Sequence, residues 1–278
     1  MEPLTQNTPP RVNLHTHTCR CKHAEGDVRD YCEAALENGL VALGISDHAP
    51  HPDGRWDDVR MDMSALPEYV ASVEEAKRTY DGRLRIYLGM ELELVPGEEN
   101  YIKEELFGRY KLDYLIGAAH NVTRPDGTKF YFKDATTDED LCVGTDYTIA
   151  TMESGFFIYM AHPDWFAYAW RGWTPTAESC CRAICQAAKA YGIPLELNAN
   201  GFRRKPVEDN GVMRPAYPLE RFWEIAAEEG VTGILGSDAH KPWHVWDNME
   251  NCRAIAQKYS VPLVDPEALL MYGGALSL

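Results

Sequence analysis

Long hydrophobic runs are missing from this 278-residue chain, and nothing in it approaches the roughly 20 consecutive apolar residues that span a bilayer. No membrane partner is therefore expected. Positive charge is also scarce. Lysine and arginine number 27 against 43 aspartates and glutamates, a formal net charge of −16, so the basic stripe of a nucleic-acid surface is not expected either. A small anionic substrate stays open, because bound divalent cations reverse the sign of a site locally. The opening residues, MEPLTQNTPPR, lack the basic-then-apolar layout of a secretory signal. A cytoplasmic location is expected, and the eight cysteines read as reduced thiols. None of them forms the C-x-x-C pair usual in thiolate-rich metal sites. Gly-x-Ser-x-Gly and P-loop patterns are absent too, which argues against acyl hydrolysis and nucleoside-triphosphate hydrolysis.

What is present is an ordinary globular composition, 45% hydrophobic and 25% charged, enough for a full core. The length fits one large α/β domain over residues 1–278, although length alone would also allow two.

The stretch around which the chain is organised is NLHTHTCRCKH, residues 13–23. His15 and His17 are two apart at the end of a short apolar-leaning run. On a strand such residues share a face, so both imidazoles project together. His23 follows one loop later. Neutral imidazole is a common ligand of Zn, Fe and Mn. Cys19 and Cys21 are possible ligands, but packing or support of the ligands is the better reading.

From there strands and helices alternate. Residues 27–38 have helical apolar spacing and end at Asn38-Gly39. LVALGIS is a buried strand ending at Asp47-His48, and a helix follows at 66–79. LRIYLGMELEL is the third strand, with Glu91 near its end and Glu93 on the same face, and 98–110 is helical. LDYLIGAAHNV is the fourth strand, ending in His120, with a turn at Pro125-Asp126-Gly127. GFFIYMAHPD is the fifth and ends in His162. ESCCRAICQAAKAYG is a helix, IPLELNAN the sixth strand, and a polar loop covers 201–218. LERFWEIAAEEG leads to the seventh strand, VTGILGS, which ends in Asp238-Ala239-His240. Seven such units suggest a parallel sheet closed into a barrel, whose site gathers at the C-terminal strand ends. Histidine, glutamate or aspartate occupies that position on six of the seven strands.

Singly each of these has a bland reading: His48 held by Asp47, Glu91 on the surface, His120 and His162 as satisfied core histidines. Together they would bury many titratable groups on one rim, at a cost that metals remove.

The order H-x-H, a nearby His, S-D-H, G-x-E, a strand-end His, A-H-P and S-D-A-H resembles the PHP (polymerase and histidinol phosphatase) family over roughly residues 12–245. ELNANGFRRKP followed by Tyr217-Pro218 resembles the histidinol-phosphate phosphatases within it. The resemblance implies a distorted seven-stranded, TIM-like (β/α) barrel with two or three divalent ions, Zn, Fe or Mn. It implies that His15, His17, Glu91 and Asp238 hold one ion. Glu91 would bridge to a second held by His120 and His162, and His23, His48 and His240 would hold a third.

A hydroxide held between the ions would attack phosphorus in a small phosphate monoester. L-histidinol phosphate is the favoured substrate, giving L-histidinol in histidine biosynthesis. The alternatives are another small phosphate ester or a nucleotide end and, from a different class, a metal-binding module without turnover. Arg203 is the favoured phosphate clamp by resemblance. Arg204 and Lys205 read equally as a solvated basic patch, and His51 is close enough to contact substrate. Tyr131, Trp165, Phe166, Tyr168 and Trp170 either wall the alcohol or pack the loops.

Overall fold

Local chemistry sets the ends of the elements. Asp27 caps the first helix (α1, Val28–Glu37) in a reciprocal capping box with Asp30, and Val28, Tyr31, Cys32 and Ala35 turn one face inward. Thr174 and Pro175 open another helix, which Gly192 closes in the left-handed conformation at φ 68°.

The computed structural model describes residues 9–273. The strands are β1 (Arg11–Asn13), β2 (Leu40–Ile45), β3 (Arg85–Glu93), β4 (Tyr114–Ala118), β5 (Asn121–Thr123), β6 (Lys129–Tyr131), β7 (Tyr159–Met160), β8 (Leu195–Asn198), β9 (Val207–Asp209), β10 (Val212–Arg214) and β11 (Gly233–Gly236). After α1 come α2 (Leu66–Thr79), a π-helical segment (Tyr101–Arg109), α3 (Asp138–Glu153), α4 (Pro175–Tyr191), α5 (Asn200–Arg203), α6 (Glu220–Glu229), α7 (Met249–Tyr259) and α8 (Pro266–Gly273).

Seven parallel strands run in the order β1-β2-β3-β4-β7-β8-β11. The ring closes just beyond the strands, at a Thr16–Ala239 bridge where His17 N–H donates to the Ala239 carbonyl at 2.8 Å. The result is the nearly closed, helix-wrapped barrel expected. β5–β6 and β9–β10 are antiparallel hairpins outside it.

Side chains alternate between two cores. Val12, Leu14, Tyr114, Ile116, Ala118, Tyr159 and Ile234 form one cluster, while Leu43, Leu88, Leu115 and Leu197 pack with the surrounding helices. Tyr114 crosses between strands and donates to the Leu14 carbonyl at 2.6 Å. Its hydroxyl and ring occupy the space that side chains at Gly44 and Gly89 would fill: a Cβ at Gly44 would lie 2.0 Å from the hydroxyl oxygen, and one at Gly89 2.2 Å from the ring.

Several elements differ from expectation. The fourth strand stops at Ala118, and β5 turns away into a hairpin. β7 is only two residues long, and the polar loop after β8 holds a short helix and a hairpin around Asn210-Gly211. α3 was not anticipated, because its buried positions include Asp140, Gly144, Thr145, Thr148 and Thr151 and make no apolar stripe. No described helix is long and apolar enough to cross a membrane.

Candidate metal centre

The strand ends deliver their polar residues to one point. His15 and His17 follow β1, His48 follows β2, Glu91 lies on β3, His120 follows β4, His162 follows β7, and Asp238 and His240 follow β11. His162 and Asp238 have φ of 28° and 48°. Such conformations cost a non-glycine residue about 1–3 kcal/mol and persist where the surroundings impose them.

Three groups of donor atoms result. In the first, His15 Nε2 and His17 Nε2 are 3.1 Å apart, each is 3.5 Å from Glu91 Oε2, and Asp238 Oδ1 lies 3.2 Å from His17. In the second, Glu91 Oε1 lies 3.0 Å from His162 Nε2 and 3.5 Å from His120 Nε2, which are 3.2 Å apart. Glu91 thus offers one oxygen to each group. In the third, His23 Nε2 and His240 Nε2 are 3.0 Å apart, with His48 beside them. These spacings lie near the roughly 3.3 Å edge of a tetrahedron of ligands around a zinc-sized ion.

Ring orientation tests whether cations fit. His23 Nδ1 faces the Cys21 carbonyl at 2.7 Å, and His240 Nδ1 faces the Asp238 carbonyl at 3.1 Å. His15 Nδ1 lies 2.7 Å from Glu196, and His120 Nδ1 lies 3.0 Å from Glu93. Carbonyls and carboxylates accept, so these rings carry their proton on Nδ1 and turn an Nε2 lone pair inward. The lone pairs of His23 and His240, facing each other at 3.0 Å, repel unless a cation lies between them. The donor set therefore fits divalent metal.

The electrostatics agree. Burial opposes charge on Glu91 and Asp238, but the imidazoles around them outweigh it and hold both well below the usual carboxylate range. Burial, reinforced by His17, pushes His48, His240 and His23 below the ordinary histidine value and favours the neutral ligand form. His15 goes the other way: burial disfavours its charge, yet Glu196, Asp238 and Glu91 together raise it well above that value. A proton and a metal ion compete for the same Nε2.

A cavity of about 260 Å³ opens over these groups, lined also by Arg60, Lys133, Arg204, Tyr131, Trp165 and Tyr217. Arg203 is not among its lining residues. Its guanidinium donates to the carbonyls of Ser237, Asp238 (3.1 Å) and Asp247 (3.1 Å), so it braces the strand end that carries Asp238. The adjacent Arg204 is the arginine of this loop that faces the cavity. His51 is likewise placed elsewhere, 2.6 Å from Glu98 and outside the cavity lining.

Of the aromatics, Tyr131 and Trp165 line the cavity, while Phe166 and Trp170 are buried in the core and Tyr168 packs by the β9–β10 hairpin. Cys21 is buried, with Sγ 3.9 Å from His23 Nε2 and within reach of His17 and His240, whereas Cys19 is exposed. Arg60 and Lys133 had no sequence signal, since the first sits in a loop and the second in a single 3-10 turn (Phe132–Asp134) whose placement only the fold decides. Glu196, two residues before Asn198 in the E-x-N pattern, was visible only as part of a motif.

Comparison with known proteins agrees with this geometry. Residues 13–200 match the PHP domain. The chain belongs to the PHP family. A Deinococcus radiodurans protein named probable histidinol-phosphatase is 34% identical over 240 residues, covering 83% of this chain and 86% of the relative. A Schizosaccharomyces pombe protein of the same name is 23% identical, covering 90% of this chain and 87% of the relative. Among solved structures, the histidinol phosphate phosphatase of Lactococcus lactis, crystallised with zinc, L-histidinol and phosphate, superposes with a TM-score of 0.68. It is 16% identical and covers 91% of this chain and 95% of the other, a likeness that carries the fold. The PHP match stops at residue 200. Asp238 and His240 lie beyond it, and the barrel seam brings them to His17 and His23.

Proposed function

We propose that this protein is a metal-dependent phosphomonoesterase that converts L-histidinol phosphate to L-histidinol and phosphate. The observation that carries the phosphatase reading is the three facing donor groups, two of them joined through Glu91, beneath a cavity with Arg204 and Lys133 in its lining. The substrate reading rests on the Deinococcus relative.

His15, His17, Glu91 and Asp238 would hold one ion, Glu91, His120 and His162 a second, and His23, His48 and His240 a third, each Zn, Fe or Mn. Bound there, such ions supply Lewis acidity toward phosphoryl oxygens and an acidified water near neutral pH. Arg204 and Lys133 present cationic donors to the phosphate. Trp165 and Tyr131 flank the organic part of the ester. Glu196 and Glu93 hold His15 and His120 with their lone pairs inward.

The test is turnover of metal-reconstituted protein against a panel of phosphomonoesters. Histidinol phosphate should give the highest kcat/KM, and Asp238→Ala should abolish it. A tenfold preference for another ester would replace the substrate. No turnover of any ester would remove the enzyme reading.

A further inference from the structure

Two histidines of the centre have behind them a carboxylate that is not itself a proposed ligand, and the two carboxylates differ. Glu196 Oε1 is 2.7 Å from His15 Nδ1, and the other oxygen accepts from Asn198 Nδ2 at 2.7 Å and the His162 N–H at 3.0 Å. Those further donors are neutral amides. Glu93 is equally buried and stands 3.0 Å from His120 Nδ1, but Arg60 Nη2 bonds both of its oxygens. Asn121 Nδ2 at 3.4 Å and His51 Nε2 at 3.8 Å complete its surroundings. Arg60 is itself buried, donates to the Ala49 carbonyl at 3.3 Å, and leaves its Nε without a partner. Glu93 does not line the cavity, so it reaches the chemistry through the cavity-lining residues it bonds, His120 and Arg60 among them.

A carboxylate that accepts the Nδ1–H pushes electron density toward Nε2 and makes it a stronger ligand. A guanidinium on the same carboxylate draws that density away. His15 has the unopposed partner and His120 the opposed one.

We propose that the Arg60–Glu93 pair makes the ion at Glu91, His120 and His162 more loosely held than the ion at His15, His17, Glu91 and Asp238, Glu93 orienting His120 and Arg60 limiting its strength as a ligand. Both are positioning residues. The inference rests on the ligand assignment proposed above.

The experiment equilibrates full-length, zinc-loaded protein in a graded series of zinc buffers and counts ions per chain by elemental analysis. H162A identifies the ion in question by its absence. In the wild type that ion should leave at higher free zinc than the ion at His15, His17, Glu91 and Asp238. E93Q should lose it at 10- to 100-fold higher free zinc still, the size usual for such partners, with the others unmoved. R60M and R60Q, which remove the charge, should hold it to at least about threefold lower free zinc, and R60K should match the wild type. A purely structural role would make E93Q, R60M and R60Q all release the ion early, and that result overturns the inference. So does equal loosening of all ions in E93Q. A wild-type protein that binds no zinc overturns the ligand assignment and this inference with it.

Discussion

Two neighbouring arginines divide their work by what their side chains face. Arg203 spends its donors on backbone carbonyls beneath Asp238, while Arg204 lines the cavity. Losing a hydrogen bond to a charged group costs about 1.5–3 kcal/mol, and 1.4 kcal/mol is one decade. Arg204→Ala should therefore lower kcat/KM at least about tenfold, mostly in KM, with Tm and metal content unchanged. Arg203→Ala should lower Tm and disturb Asp238. Steady-state kinetics beside a melting curve separates the two, and a silent Arg204→Ala with a damaging, thermally neutral Arg203→Ala would reverse the roles. The placement of His15, His17, Glu91, His120, His162, Asp238 and His240 at strand ends was legible in the sequence, because strand ends are local and the barrel converges them. The choice between Arg203 and Arg204 was not. It depends on carbonyls more than 30 residues away, on the far side of a helix.

At the scale of elements, the barrel interior depends on the absence of two side chains. Gly44→Ala would place a methyl 2.0 Å from the Tyr114 hydroxyl and 2.9 Å from Leu14 Cα. Overpacking of this kind costs about 1–3 kcal/mol, a fall in Tm of roughly 2–12 °C for a chain of this size. The loss should shrink when Tyr114→Leu is combined with it, as a double-mutant cycle would measure. An additive cycle would mean the ring is not the obstacle. Long, one-sided elements such as α1 and α4 were readable from their spacing. α3 buries threonine, glycine and aspartate instead, with Gly144 against the Phe132 ring. β7 keeps only two paired residues of an apolar run that reads as a longer strand. Pairing length is set by the neighbours, which a single run does not contain.

On the scale of the whole molecule, the proposed ions are structural as well as chemical. Glu91, Glu196 and Asp238 are buried together, and without cations their charges face only imidazoles and amides. An ion held at 1,000 times its Kd stabilises the fold by about 4 kcal/mol. Chelation should therefore lower Tm by on the order of 10 °C, reversibly on adding back zinc. A Tm that ignores chelator would count against the buried donor groups as ligands.

The seam at Thr16–Ala239 carries a consequence in time. His17 and Asp238, 3.2 Å apart in the folded barrel, are 221 positions apart in the chain. During synthesis the first histidines leave the ribosome long before the aspartate that would share their ion. A nascent chain that has made only six strands owns most of the ligands and no complete first pocket. Capture of the proposed ion would thus date the finishing of the protein. Short of metal, a full-length chain would keep the backbone bridge along this line but lack the ion across it.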